Sequence, residues 1–422
     1  MPGLSVESWI KIRQERVSTF ISKWQNCHYC PINRYYAVNR ILLLCVGLWP
    51  NQKSSSRHIA VTFTTMTLVS GIVFQLTPFI THEYNVNILL QILAYTIPWI
   101  AYTLKYHFSC LKMRQFRDIL ERVRCDWNQL SNTHEIEIIK EYAAIGRFVT
   151  LIVTLFIYVS IFGFIIIMFL SNVLLDIMSS KNESCPRQFP ILIECFIDQQ
   201  KHYFLIFFQL TVIVVSGFTT VAASETLNMS FVQHACGLFE IAGHRIDQAL
   251  HENKVQGVAS TAKRNSMIYQ GIISGFDMYK KAIEFVEMLK VICKWTYSAL
   301  LPLGVISLSI NLYRFSQLIA SKEYFETVIS FIFILGHFWY MFFTNYMGQQ
   351  VINHSSDMFY RTYNVQWYVA PLKAQKLLLL IMQRGVRHCT LVIDGLFVSS
   401  FEGFATLAST SISYFAIICS VF

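Results

Sequence analysis

Seven stretches of this sequence, 59–80, 84–104, 148–173, 202–224, 295–313, 327–350 and 403–422, contain no Asp, Glu, Lys or Arg. A helix rises about 1.5 Å per residue, so roughly 20 apolar residues cross the ~30 Å hydrocarbon core of a bilayer. In lipid the backbone must satisfy its own hydrogen bonds, which leaves helices or a closed barrel. Barrel strands alternate polar and apolar residues, and these runs do not. Only 14% of the 422 residues are charged and 54% are hydrophobic, whereas about a quarter of a typical soluble chain is charged. The expected fold is an all-α membrane protein with seven transmembrane helices. The first forty residues are polar and basic and read as no cleavable signal. The apolar stretch Ile41 to Trp49 is too short to span. It fits a re-entrant or interfacial segment, or a buried turn.

Charge placement gives the runs a direction. Of 34 Lys and Arg, 29 lie in alternate segments between the runs, beginning with the N-terminal one. The positive-inside rule puts those segments in the cytosol, so the N-terminus is expected to be cytoplasmic and the C-terminus extracellular. That orientation is the reverse of a metabotropic seven-helix receptor. The net charge of +9 therefore reports sidedness, not a nucleic-acid partner. Of three Asn-x-Ser sequons, only the one at Asn182 falls outside, where it is either glycosylated or unused. Cys185 and Cys195 share the same outer loop, where an oxidising exterior permits a disulfide or two free thiols. Cys27 and Cys30 form a C-x-x-C without the further ligands a zinc site needs.

The chain divides into a cytoplasmic segment 1–58, six spans within 59–350, a cytosolic region 351–402 and a last span 403–422. The long cytosolic segments carry helical periodicity, as at Phe231, Ala235, Leu238, Ile241 and Ile246, and again over 372–393. They are expected to continue the transmembrane helices into the cytosol and pack there. No phosphate-binding loop, zinc-protease motif or nucleophile elbow is present, so no enzyme activity is expected. Runs without ionisable residues argue against an ion-driven carrier. A receptor, a channel, or both remain.

In the last run Tyr414, Ile417 and Val421 share one helix face. An apolar ring of this kind gates a pore by dewetting; the same face equally suits lipid or helix packing. Asp394 and Glu402 stand on its cytosolic side. The outer halves of other spans carry aromatic and polar pairs suited to a small apolar ligand: Gln91 and Tyr95, Phe164 and Met168, Phe204, Phe208 and Thr211, and Phe331 with Leu335. Core packing accounts for such pairs as well.

The ending "TSISYFAIICSVF" (Thr410 to Phe422) resembles the last-helix signature of insect odorant receptors. "MGQQV" at Met347 to Val351, "MFYRTYNVQWY" at Met358 to Tyr368 and "HACGLFEIAGHRI" at His234 to Ile246 resemble that family's cytosolic segments. The resemblance extends over the whole plan of the chain. Gustatory receptors, the sister family and the alternative reading, end their last helix on Gln-Phe, which is absent here. The resemblance implies a tuning subunit of a ligand-gated, non-selective cation channel in the plasma membrane of olfactory neuron dendrites. It implies a tetramer with the odorant receptor co-receptor (Orco) and a small volatile ligand within the outer helices. The last helix is implied to line the pore, with Ile417, three residues after Tyr414, matching the hydrophobic gate. The family usually has Val or Leu at that place. No cofactor is implied.

Overall fold

The computed structural model describes residues 31–81, 85–178, 200–251, 261–393, 395 and 397–421. Asn182, Cys185, Cys195 and Asp394 lie outside the described residues, as do Cys27 and Cys30. The main helices are α1 (Ala37–Cys45), α2 (Ser54–Leu76), α3 (Val86–Leu111), α4 (Met113–Gln129), α5 (Thr133–Met178), α6 (Tyr203–His251), α7 (Thr261–Ser321), α8 (Tyr324–Asn364), α9 (Leu372–Val386) and α10 (Phe401–Val421). Seven of them, α2, α3, α5, α6, α7, α8 and α10, are long and apolar enough to cross a membrane. Their outward faces carry large apolar side chains, among them Phe63 and Met66 on α2 and Phe148, Leu155 and Phe162 on α5. So much exposed apolar surface suits lipid rather than water.

Four of these helices are far longer than a bilayer needs. α5, α6, α7 and α8 have 46, 49, 61 and 41 residues. The helix of the fourth run continues unbroken from Tyr203 to His251, because apolar periodicity carries on where the charge-free run stops. The largest core forms mainly from these extensions: Phe231 and Phe239 of α6, Phe285 of α7, Val351 of α8 and Leu378 of α9 are fully buried. Ion pairs bind it at its edges. Arg245 of α6 holds Glu135 of α5 through two nitrogens at 2.7 and 2.8 Å, the strong bidentate form. Arg361 of α8 donates to Glu240 of α6 at 2.8 Å. Glu240, Arg245 and Arg361 thus come from two of the family-like segments.

The stretch Ile41 to Trp49 forms most of α1 and the turn after it. Leu42, Leu43, Val46, Leu48 and Trp49 are buried in the main core, and Tyr106 of α3 donates to the Val46 carbonyl at 2.8 Å. Gly47 sits at φ +74°, and a Cβ there would meet Val61 Cγ2 at 2.9 Å, a conformation and a lack of room that favour glycine.

The periodicity expected over 372–393 ends early. α9 stops at Val386, and Val392–Ile393 pairs antiparallel with Phe397–Val398 as strands β1 and β2. β-Branched residues on both arms and Gly395 at φ +72° favour a hairpin over another helical turn. Ile393 and Phe397 pack on Cys293, Tyr297 and Leu301 of α7, so the hairpin sets where the last helix begins.

Candidate functional site

A narrow cavity lies between α2, α3, α5 and α6. The free space it encloses is about that of a single water molecule. Gly71 and Gln75 line it from α2, Trp99 from α3, and Phe164 and Ile165 from α5; α6 contributes Phe207, Leu210, Thr211, Ile213 and Val214. The wall is apolar apart from Gln75 and Thr211. Thr211 donates its hydroxyl proton to the Phe207 carbonyl at 2.9 Å. Gln75 is only 3% exposed, and its Oε1 has no hydrogen-bond partner.

Tyr95 of α3 is buried beside this cavity in a cluster with Phe74, Phe164, Leu210 and Phe333. Phe164 and Leu210 belong to both the cluster and the cavity wall. The Phe333 ring meets Tyr95 edge-on at 5.3 Å. The guanidinium of Arg314, from α7, lies 4.6 Å from the Tyr95 ring centre, a cation–π contact, and pairs with Glu326 of α8 at 2.9 Å. Of the residues expected around a ligand, Tyr95, Phe164 and Thr211 are therefore brought together. Gln91 is half-buried on α3, and Phe331 packs against Phe315 at 5.9 Å; neither lines the cavity. Phe204 and Phe208 are exposed on the outer surface of α6. The face that lines the cavity is turned by about 100°, one residue on a helix, and presents Phe207 instead. The side chain of Met168 lies outside the described set.

The charge-free runs hid a second site. Lys105 and Glu225 each follow a run directly, and the structure pairs them in the buried interior. Tyr297 donates to Glu225 at 2.7 Å, and Tyr340 donates to it at 3.0 Å. Lys105 also donates to the Tyr340 hydroxyl at 3.3 Å. Four helices, α3, α6, α7 and α8, thus meet on one carboxylate. Run boundaries drawn at the last uncharged residue could not reveal it; one charged residue at the end of each of two runs was the only signal.

The last helix is held from one side. Gly403, Leu407 and Ser411 are buried, with Leu407 packed against Val305, Leu308, Ile334 and Met341 of α7 and α8. Ser309 of α7 donates to the Ser411 carbonyl at 2.9 Å. Ile418 joins a small cluster with Ala94 and Ile97 of α3 and Ile310 of α7. Towards its C-terminal end the packing thins among the described residues: Tyr414, Ile417 and Val421, which follow on nearly the same side as Leu407 and Ser411, are 51%, 54% and 66% exposed. At its start, α10 is capped by α8. Asn345 Oδ1 accepts from the Ser400 N–H at 3.1 Å, and Gln349 Oε1 accepts from the Phe401 N–H at 3.1 Å. Ser400 Oγ also accepts from the Gly403 N–H at 3.0 Å. These bonds satisfy amides that a helix N-terminus leaves unpaired. The "MGQQV" segment therefore serves as a clamp on the last helix.

Comparison with known proteins matches this architecture. The family described as 7tm Odorant receptor matches residues 85–412. The insect olfactory receptor OR5 from Machilis hrabei in complex with eugenol superposes with a TM-score of 0.67 at 13% identity, over 93% of this chain and 98% of the receptor. A second structure of that receptor gives 0.69 at 12% identity, over 96% and 99%. At such identities the likeness speaks for the fold. No curated protein sequence matches the chain. With a family match over more than three quarters of its length and seven helices suited to a bilayer, the chain belongs to the insect odorant receptor family, multi-pass membrane receptors of olfaction and not enzymes.

Proposed function

We propose that the chain is the odorant-binding tuning subunit of a ligand-gated, non-selective cation channel, assembled with the co-receptor Orco as a heterotetramer in the plasma membrane. The observation that carries this reading is the last helix. Its first half is packed on α7 and α8 through Gly403, Leu407 and Ser411, and its last two turns leave Tyr414, Ile417 and Val421 exposed. A helix end that leaves apolar and hydroxyl-bearing side chains exposed suits a central pore shared with other subunits. In this reading Ile417 is the hydrophobic gate and Glu402, at the other end of α10, attracts cations. The charge distribution of the loops supports a cytosolic N-terminus and 351–402 anchor region and an extracellular C-terminus in this reading.

The odorant binds by widening the narrow cavity beside Tyr95, Phe164 and Thr211. Contacts from there to the last helix are short. Arg314 touches Tyr95, and four residues earlier on α7 Ile310 packs with Ala94, Ile97 and Ile418. Asn311 of α7 also donates to the Ala94 carbonyl at 3.2 Å. A ligand that repositions α3 against α6 shifts α7 with it, and α7 carries α10. The ligand favours the open state only by as much as it binds that state better.

Replacing Ile417 tests the pore assignment. Ile417→Ser wets an apolar constriction, so basal current in cells co-expressing the chain and Orco is expected to rise severalfold without odorant. Basal current and block identical to wild type, at equal surface expression, would remove Ile417 from the pore.

A further inference from the structure

Where the C-terminal end of α3 meets the middle of α7, the surface carries lysines beside exposed apolar and aromatic side chains. Lys112 directly follows the last residue of α3, and Lys294 directly precedes the fifth charge-free run, which opens on Trp295. The two places touch in space: Lys112 donates to the Val291 carbonyl at 2.5 Å, across 179 residues of sequence. Val291, Lys294 and Trp295 are spaced three and four residues apart and share one face of α7. All three are exposed, and so is Leu111 at the end of α3. The Lys294 ammonium lies 5.6 Å from the centre of the Trp295 ring. From Lys105 to Arg117 the chain has four Lys or Arg and no Asp or Glu. The nearest carboxylate along α7, that of Glu287, pairs with Lys290 at 2.6 Å.

We infer that this patch is a docking surface for an anionic phospholipid of the cytosolic leaflet, such as phosphatidylserine. The Lys112 and Lys294 ammonium groups hold its headgroup, and Leu111 and Trp295 lie against its glycerol and upper acyl chains. Tryptophan with one apolar and one polar edge belongs at the boundary between lipid and water, and lysines at that depth meet the negative surface of the cytosolic leaflet. The loop charges support the cytosolic side for this end of both helices. A neighbouring protein subunit is the poorer fit, because protein interfaces are depleted in lysine, whereas a headgroup meets lysines where water still reaches them. Each lysine near an anionic surface strengthens binding about fivefold. A lipid held there bridges α3, on the wall of the cavity, and α7, on which the last helix packs.

The test is lipid photo-crosslinking. The full-length chain, purified alone and with Orco, is placed in phosphatidylcholine nanodiscs with a trace of photoactivatable phosphatidylserine or, separately, photoactivatable phosphatidylcholine. Labelled peptides are mapped by mass spectrometry. Peptides containing Leu111 and Trp295 are expected to be labelled roughly tenfold or more strongly by the phosphatidylserine probe. Lys112→Gln and Lys294→Gln are each expected to lower that labelling about fivefold and to leave labelling by phosphatidylcholine unchanged, which also shows that the variants are folded. The control is Lys263→Gln with Arg264→Gln, which removes two charges from α7 about 45 Å away along the helix, well beyond the screening length; it is expected to change nothing at the patch. Equal labelling by the two probes in the wild type would overturn the inference. So would a preference that survives both lysine variants, or one that falls as far in the control, which would mark a response to overall charge. Labelling that vanishes when Orco is present would overturn it in favour of a subunit contact. Nanodiscs offer lipid on both faces, so the result does not depend on which way the chain lies in the cell.

Discussion

Glu225→Leu is expected to keep the receptor from reaching the cell surface, and Lys105→Met is expected to rescue it. Glu225 is buried and accepts from Lys105, Tyr297 and Tyr340 on three other helices. Removing the carboxylate strands the Lys105 ammonium, whose side chain is 3% exposed, and leaves two tyrosine hydroxyls without their acceptor. Breaking one partner of a buried pair typically costs ~3–5 kcal/mol, a large part of the ~5–15 kcal/mol that holds a domain folded. Neutralising both partners removes the stranded charge, and apolar replacements of similar volume are often neutral or stabilising. Surface biotinylation and the melting point of purified protein read both variants. Wild-type surface levels in Glu225→Leu would mean that water or lipid headgroups already solvate Lys105. A double variant as poor as the single one would mean that Glu225 acts through its tyrosine bonds and not through its charge.

Gly348→Ala is expected to be nearly as damaging, through shape alone. A Cβ at Gly348 would lie 2.1 Å from the Ser399 carbonyl oxygen and 2.5 Å from its hydroxyl, well inside contact distance. The obstacle is mainly backbone, so α8 and the start of α10 must separate. That opens the neighbouring caps from Asn345 and Gln349. Overpacking of this kind costs ~1–3 kcal/mol or more, and each lost cap adds ~1 kcal/mol. Odorant-evoked current is expected to fall to background. Gly336→Ala is the control, because a Cβ there meets nothing within 4 Å. Mid-helix alanine at that place is expected to be neutral or stabilising by ~0.5–1 kcal/mol. Equal behaviour of the two variants would show that the contact with Ser399 does not hold the last helix.

The parts of this fold legible in the sequence were those governed by solvent. Seven uncharged runs became seven candidate spans, and the periodic stretch around Phe231 became a continuation of α6, because lipid and core both demand long apolar faces. What depended on rotation about a helix axis was harder. With 34 phenylalanines in the chain, nothing distinguished Phe208, exposed on the outer surface, from Phe207 one position earlier on the cavity wall. Lys105 and Glu225 were invisible for a different reason. Their pairing spans 120 residues of sequence, and each alone looks like an ordinary charge at a membrane boundary. The hairpin after α9 was lost because "LVIDGLFV" is short enough to read as the end of a helix.

The central claim is that odorant binding in this chain opens a cation pore directly. Whole-cell recording from cells co-expressing the chain with Orco, over a panel of volatile alcohols, phenols, ethers and esters, tests it most directly. The expected result is an inward cation current evoked by a subset of the panel, absent without this chain and unchanged when G-protein signalling is blocked. A chain present at the surface that yields no current to any compound, or a current that disappears with G-protein block, would contradict it.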